Sequence, residues 1–137
     1  SSGSGATSSA SADTSSSDVS IEPGSQEDLI VNVGDRVFFD YNSSELDEDA
    51  KELLQDQVAW VKQHDASITI EGHCDERGTR EYNLALGQRR SESVASYLIA
   101  NGIKRNQLSI KSYGEERPLS LGSNDAAWSK NRRVEIN

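Results

Sequence analysis

At 137 residues with 34% hydrophobic side chains, the chain has enough apolar material for one modest domain and not for two. Its formal charge is -9, and nowhere do Lys and Arg cluster as phosphate contacts require, so nucleic acid is not expected as a partner. The longest apolar run is only a few residues, so these residues hold neither a transmembrane helix nor a signal peptide, and a leader used for export would already be gone.

Taken from its start, the chain is acidic and poor in apolar residues. Residues 1–35 hold six acids and no base, whereas the remainder holds 17 acids against 14 bases. Ten of the first 20 residues are serine, and Val19 is the only sizeable apolar side chain among them. Such a segment cannot bury enough surface to offset its chain entropy. A disordered, Ser-rich acidic tether is therefore expected over residues 1–28, of which Ser1 to Gly5 could be foreign, followed by one folded domain over residues 29–137.

Within the domain, Leu29-Ile30-Val31 is expected to add a short edge strand, and Arg36 to Asp40 reads as the first full strand. A polar loop, Tyr41 to Ser44, follows. Asp47 is placed to cap a helix, with Leu46, Ala50, Leu53, Leu54 and Val61 at helical spacing and Trp60 covering the sheet. Ser67 to Glu71 alternates as a half-buried strand that Gly72 interrupts, and a charged turn with Gly78 comes next. From Thr79 or Arg80 the period changes to that of a helix, with Tyr82, Leu86, Ser93, Val94 and Tyr97 on one face and Asn101-Gly102 closing it. Leu108 to Tyr113 alternates as the third strand. Asn124 caps a short helix reaching about Lys130, and Arg132 to Ile136 forms the last strand with Val134 and Ile136 inward. Strands alternating with helices predict a two-layer α/β sandwich, helices on one face of a four-stranded sheet.

The stretch Gly72 to Arg90 is where chemistry concentrates. At 100° per residue Arg90 falls between Leu86 and Val94 on the apolar face of its helix, where an unpartnered guanidinium would cost several kcal/mol, roughly, so an acidic partner or an anionic ligand is expected nearby. Asp75, in the turn feeding that helix, is the natural candidate. A carboxylate and a guanidinium held close together can receive a zwitterion, one taking an ammonium and the other a carboxylate. The same pair could equally be a structural salt bridge pinning the turn to the helix.

His73-Cys74-Asp75 invites a metal or nucleophile reading, but consecutive residues on a strand point in different directions and His64 is the only other histidine. No metal site, cofactor or enzymatic activity is expected, and a small hydrolase built on these three residues is the weakest alternative. Arg132 and Arg133 fall on opposite faces of their strand, so one of them is structural. Glu115-Glu116-Arg117 reads as a solvated loop with room for a protein contact. Asp40 either borders the same cleft as Asp75 or caps local backbone N–H groups.

The run Gly72-His73-Cys74-Asp75, then Gly78, Asn83, Leu86 and Arg90, closing with Asn131-Arg132-Arg133-Val134-Glu135, resembles the OmpA-like peptidoglycan-binding domain. Asp75 to Asn83 and Ser112 to Glu116 resemble its peptidoglycan-associated lipoproteins (Pal) in particular, and the likeness spans Val33 to Asn137. The resemblance implies the order β-α-β-α-β-β, a mixed sheet, and non-covalent binding of the peptidoglycan stem peptide through its meso-diaminopimelate. Carried over by position, Asp75 takes the ammonium and Arg90 the carboxylate, Asn83 and Leu86 shape the pocket, backbone N–H groups around Asp40 and Tyr41 complete it, and Arg77 belongs to the same ligand-contacting set. Also implied are the periplasmic β-propeller of the Tol system (TolB) as protein partner, and an outer-membrane location on the periplasmic face through a lipid-carrying cysteine that is not in this chain. A porin tail or a flagellar stator domain is the alternative within the family. At the position of Cys74 the family usually has threonine, which implies a small polar filler and not a reactive thiol.

Overall fold

A computed structural model describes residues 21–137; the expectation of a disordered tether lies, for residues 1–20, outside the described residues. The first described element corrects the reading of Leu29-Ile30-Val31 as a strand. It is the helix α1 (Gln26–Asn32), capped by Ser25, whose hydroxyl accepts the Asp28 N–H. Only Leu29 of that apolar trio is buried, while Ile30 and Val31 are 47% and 60% exposed. A strand buries alternate residues, whereas here a single side chain faces inward and the capping chemistry decides. Asp28 ties the helix down: its carboxylate accepts from the Gly24 N–H, from Trp60 Nε1 and from Asn32 Nδ2. A domain boundary drawn between Asp28 and Leu29 would therefore cut through α1.

The remaining elements follow in the order β1 (Arg36–Phe38), α2 (Glu48–His64), β2 (Ile68–His73), α3 (Arg80–Ala100), β3 (Leu108–Gly114), α4 (Asp125–Asn131) and β4 (Arg133–Ile136), with a 3-10 turn at Arg105–Gln107. Side-chain caps open α2, α3 and α4, those at Asp47 and Asn124 as expected. Asp47 accepts from the Ala50 N–H, Thr79 from Tyr82 and Asn124 from Ala127, each satisfying one orphan donor of a first turn. β1 ends at Phe38, short of Asp40, and Phe39 continues it only through its N–H to the Arg132 carbonyl.

The sheet has the strand order β1-β4-β2-β3 and is mixed. β4 pairs antiparallel with β1 and β2, and β2 pairs parallel with β3, a pairing that needs the long crossover α3 supplies. Ile70, Val134, Ile136 and Val37 point to one face and are covered by Leu54, Val58 and Val61 of α2 and Val94 and Leu98 of α3. Helix α3 lies so close to β2 that a side chain at Gly72 would run into the Gly87 carbonyl. This closeness brings Arg90 within reach of the carboxyl end of β2. The opposite face of the sheet presents Glu71 and His73 from β2 and Arg133 and Glu135 from β4, by the period of two.

Where β2 ends, β3 carries one extra residue: Gly72 pairs with Ser112 but His73 pairs with Gly114. Bulges of this kind re-aim side chains beside functional sites. Here the bulge leaves Tyr113 stacked on the His73 ring at 5.4 Å.

Candidate functional site

The polar turn after β2 is built from the backbone outward. Cys74 keeps the strand's direction by donating its N–H to the Gly114 carbonyl. Asp75 then closes an Asx turn, its Oδ1 accepting the Arg77 N–H at 3.0 Å, and Gly78 at φ 101° turns the chain toward the Thr79 cap of α3. Asn83, in the first turn of α3 and 2% exposed, staples this turn: its Nδ2 donates to the Arg77 carbonyl at 3.0 Å and to Glu115 Oε1 at 2.9 Å.

Asp75 and Arg90 do come together at one strand end, but not as partners. The carboxylate of Asp75, only 4% exposed, is paired with Arg77 Nη2 at 2.8 Å and Arg132 Nη1 at 3.4 Å. Burial pushes its carboxyl up, yet the hydrogen bonds from the Arg77 side chain and amide, with that from Arg132, outweigh burial and hold it below the ordinary aspartate value. Arg90 is fully buried and is satisfied by carbonyls: Nε donates to Ser43 at 2.7 Å, Nη1 to His73 at 3.0 Å, and Nη2 to Asp40 at 3.0 Å. Nη1 also approaches Cys74 Sγ at 3.6 Å. The acid that the buried guanidinium was expected to need is thus replaced by three peptide oxygens. Burial lowers the pKa of Arg90, but a guanidinium stays protonated at neutral pH.

Four of the five Arg90 N–H donors have these partners, which leaves one on Nη2. Arg90 lines a small cavity of about 30 Å³, whose wall also includes Asp75, Arg77, Tyr41, Asn83 and Leu86. Six of the seven predicted site residues therefore meet around one space, and the seventh, Asp40, contributes its carbonyl to Arg90 where an N–H donor was expected to face the ligand. The space holds about one water. Among its walls is Arg77, whose guanidinium lies against the rings of Tyr41 and Trp128, 4.0 Å from each centroid.

Tyr82, expected on the buried face of its helix, is 42% exposed. The buried stripe instead runs through Asn83, Leu86, Gly87, Arg90, Ser91, Val94 and Leu98, set by the close contact at Gly87. Cys74 points to α3 and donates its thiol to the Asn83 carbonyl at 3.2 Å. Burial pushes the thiol's pKa up, which removes the thiolate that nucleophilic or oxidative chemistry needs. His73, Cys74 and Asp75 accordingly face three different surroundings.

Two residues belong to the site that the sequence reading did not assign to it. Arg132 links Asp75 to the Phe39 carbonyl, which its Nε reaches at 2.9 Å. The alternation of Arg132 and Arg133 already separates them onto two faces, but only the strand order shows which face meets Asp75. Trp128 comes from α4, with its indole N–H on Glu76 at 3.2 Å, and no periodicity in so short a helix points it toward the turn. A second, shallower furrow of about 710 Å³ runs between Ser44 to Leu46 and the outer side of α3. It is lined by solvated charges, Glu45, Lys51, Arg89 and Glu92 among them, and has no buried polar group to fix a ligand.

Comparison with known proteins agrees with the residue-level likeness. The OmpA family matches residues 38–132. A peptidoglycan-associated lipoprotein of Brucella melitensis is 51% identical over 113 residues, covering 82% of this chain and 67% of that protein. One from Pseudomonas aeruginosa is 44% identical over 99 residues, covering 72% and 59%. Among solved structures, the peptidoglycan-associated lipoprotein of Burkholderia pseudomallei superposes with a TM-score of 0.72 at 41% identity, over 74% of this chain and 87% of that one. The C-terminal domain of Helicobacter pylori MotB gives 0.70 at 25% identity, over 75% and 82%. The chain belongs to the OmpA family, on the branch of its peptidoglycan-associated lipoproteins.

Proposed function

We propose that this chain binds peptidoglycan without covalent chemistry, recognising the meso-diaminopimelate of the stem peptide, and so tethers the outer membrane to the cell wall. The observation that carries the proposal is the gathering of one buried carboxylate and two guanidiniums, Asp75 with Arg77 and Arg90, around a single cavity at the carboxyl end of β2, with the guanidinium of Arg132 also paired to Asp75. A carboxylate with a surplus of guanidiniums suits a ligand that offers both an ammonium and a carboxylate. Asp75 receives the ammonium, and the Arg90 N–H left without a protein partner meets the carboxylate. Arg77 now holds the place of the ammonium on Asp75, so the ligand enters by displacing it, and the aromatic rings of Tyr41 and Trp128 flank the opening. The names of the lipoprotein relatives support peptidoglycan as the target.

The same rim supports a second contact. Asp40 to Ser44, Asp75 to Arg80 and Glu115 to Arg117 are polar and grouped, and Arg80 pairs with Glu116 across them at 2.8 Å. A protein partner of the kind the family implies, the Tol-system β-propeller TolB at the periplasmic face of the outer membrane, would bury roughly 800 Å² of each surface there. The stem peptide and the propeller then exclude each other, and each lowers the other's apparent affinity.

The test is co-sedimentation with purified sacculi, with and without free diaminopimelate as competitor. The proposal expects retention that the free amino acid reverses and that Asp75→Asn weakens by about tenfold or more. Retention indifferent to both would overturn it. Titrating the propeller into the bound sample should release the chain in proportion to occupancy, and a stable ternary complex with unchanged affinities would remove the shared-rim reading alone.

A further inference from the structure

On the sheet face turned away from α2 and α3, two glutamates stand directly opposite each other: Glu71 of β2 pairs in register with Glu135 of β4. Like charges in that position repel. His73 lies two residues beyond Glu71 on the same face, so the three side chains form a compact patch. One ligating atom from each can be chosen so that all lie within 4.8 Å of one another.

The histidine is the anomaly in this patch. It is 2% exposed, and neither Nδ1 nor Nε2 has a hydrogen-bond partner among the described residues. Buried polar atoms are paired in the great majority of cases, and an imidazole with both nitrogens idle needs an explanation. Its neighbours already hold the ring and the carboxylates in place. Tyr113 stacks on the ring, Glu71 accepts from Asn137 Nδ2 at 2.6 Å, and Glu135 accepts from Arg133 and lies 3.5 Å from Arg36. Outer contacts of this kind orient the ligands of metal centres.

We propose that Glu71, His73 and Glu135 bind a divalent transition-metal ion of the zinc class, one imidazole nitrogen and two carboxylate oxygens supplying three ligands and water the fourth. The donor set fits: zinc takes nitrogen and carboxylate oxygen together, and sites with three protein ligands keep a fourth position for water. Ligand atoms around tetrahedral zinc, at bond lengths of about 2.0–2.1 Å, sit roughly 3.3 Å apart. The three ligating atoms therefore have at most about 1.5 Å to draw in, through rotation of the half-buried glutamates. The ion takes a share of Glu135 from Arg133 and Arg36, so its affinity stays below that of sites with four dedicated ligands. The binding surface differs from the one read for the stem peptide, although His73 touches both, its ring on this face and its carbonyl on Arg90.

The experiment is titration calorimetry of zinc chloride into the chain at neutral pH in a non-chelating buffer, with thermal unfolding followed in parallel. One saturable site per chain and a raised Tm are expected. Glu71→Gln and Glu135→Gln keep the shape of each side chain while removing its charge, and each should weaken binding by roughly tenfold or more, as loss of a contact to the metal or its ligands does. His64→Ala and Cys74→Thr, which remove the other histidine and the thiol, should leave the zinc isotherm as it is. No saturable heat at millimolar zinc, or a site that survives the Glu71→Gln and Glu135→Gln double substitution, overturns the proposal and leaves the ring solvated by water. Should a glutamine variant bind weakly but also melt early, the single substitution that melts with the parent decides.

Discussion

Two polar clusters meet back to back at His73, and they treat buried polarity in opposite ways. At the strand-end rim, Arg90 and Asp75 are as deeply buried as core residues, yet both are well hydrogen-bonded, and Arg90 spends three of its five N–H donors on backbone carbonyls from two segments, the Asp40 to Ser44 loop and the end of β2. On the sheet face, the His73 ring is equally buried with no hydrogen-bond partner among the described residues. The difference teaches that burial alone says little about a charged or polar group. A satisfied group holds structure together and breaks it when removed, whereas an unsatisfied one responds to whatever can supply the missing partner, a proton included.

The largest effect should come from Arg90→Ala. It strips the donors from the carbonyls of Ser43, His73 and Asp40 at once, and deleting one side of a buried charged network costs on the order of 3–5 kcal/mol. Urea denaturation should show the midpoint fall by a corresponding amount, with Arg90→Lys recovering only part, because an ammonium cannot span the three carbonyls as a planar fork does. An unchanged midpoint for Arg90→Ala would erase the contrast between the two clusters.

Next in size is the response of the sheet face to acid. Burial, with Arg133 and then Arg117 and Arg36 nearby and against the opposing pull of Glu135, lowers the pKa of His73 from 6.5 to about 4. The unfolded chain therefore binds a proton between those values while the folded chain does not, so stability rises with pH across the interval. The contribution is complete above pH 6.5 and is lost as pH falls toward 4, about 3 kcal/mol in all at 1.36 kcal/mol per pKa unit. Denaturation midpoints measured in chelator, to keep metal out, should fall through that window in the parent and stay flatter in His73→Gln. A parent curve as flat as the variant's would mean that the ring finds a solvent partner.

How much of this could be read before the structure depends on whether the signal was local. Caps at Asp47 and Asn124, the inward Val134 and Ile136, and the helical period that buries Arg90 are properties of short windows, and the chain keeps them. Five of the seven predicted site residues, Asp75, Arg77, Asn83, Leu86 and Arg90, line one cavity for the same reason, since turn and helix start are contiguous in sequence, whereas Tyr41 joins them from the loop after β1. What local windows did not carry was the pairing. Arg90 was expected to meet an acidic partner or an anionic ligand, and the carbonyls that it does meet come from residues 17, 47 and 50 positions away. Arg132 reaches Asp75 across 57 residues, which depends on β4 lying between β1 and β2. Leu29 to Val31 misled for a different reason, because three β-branched or aliphatic residues look like a strand until the Ser25 cap ahead of them is given weight.

A smaller change is expected from Asp75→Asn. The amide still accepts the Arg77 N–H that closes the Asx turn, so the fold should survive, but the charge that holds Arg77 and Arg132 is gone. A charge-assisted hydrogen bond contributes roughly 1.5–3 kcal/mol, so loss of the one to the ligand's ammonium should weaken sacculus binding by about tenfold or more. If the folded variant sediments with sacculi as the parent does, Asp75 is a partner for Arg77 and Arg132 only.

The smallest effect should come from Cys74→Thr, and it tests whether the rim is satisfied down to its weakest hydrogen bond. The thiol does two things: it donates to the Asn83 carbonyl and lies against Arg90 Nη1. A threonine hydroxyl can donate and accept in the same two directions, and its extra methyl replaces part of the volume of sulfur, so the stability change should stay within about 1.5 kcal/mol. Burial raises the thiol's pKa and hides it, so the parent should react with a thiol reagent only as fast as the chain opens, and its rate should climb on adding urea below the unfolding midpoint. Rapid labelling of the native chain would show that the rim opens without unfolding. The comparison would then have to be redrawn, with the Asp75 turn as mobile as its ligand requires and Arg90 as the only fixed part of the site.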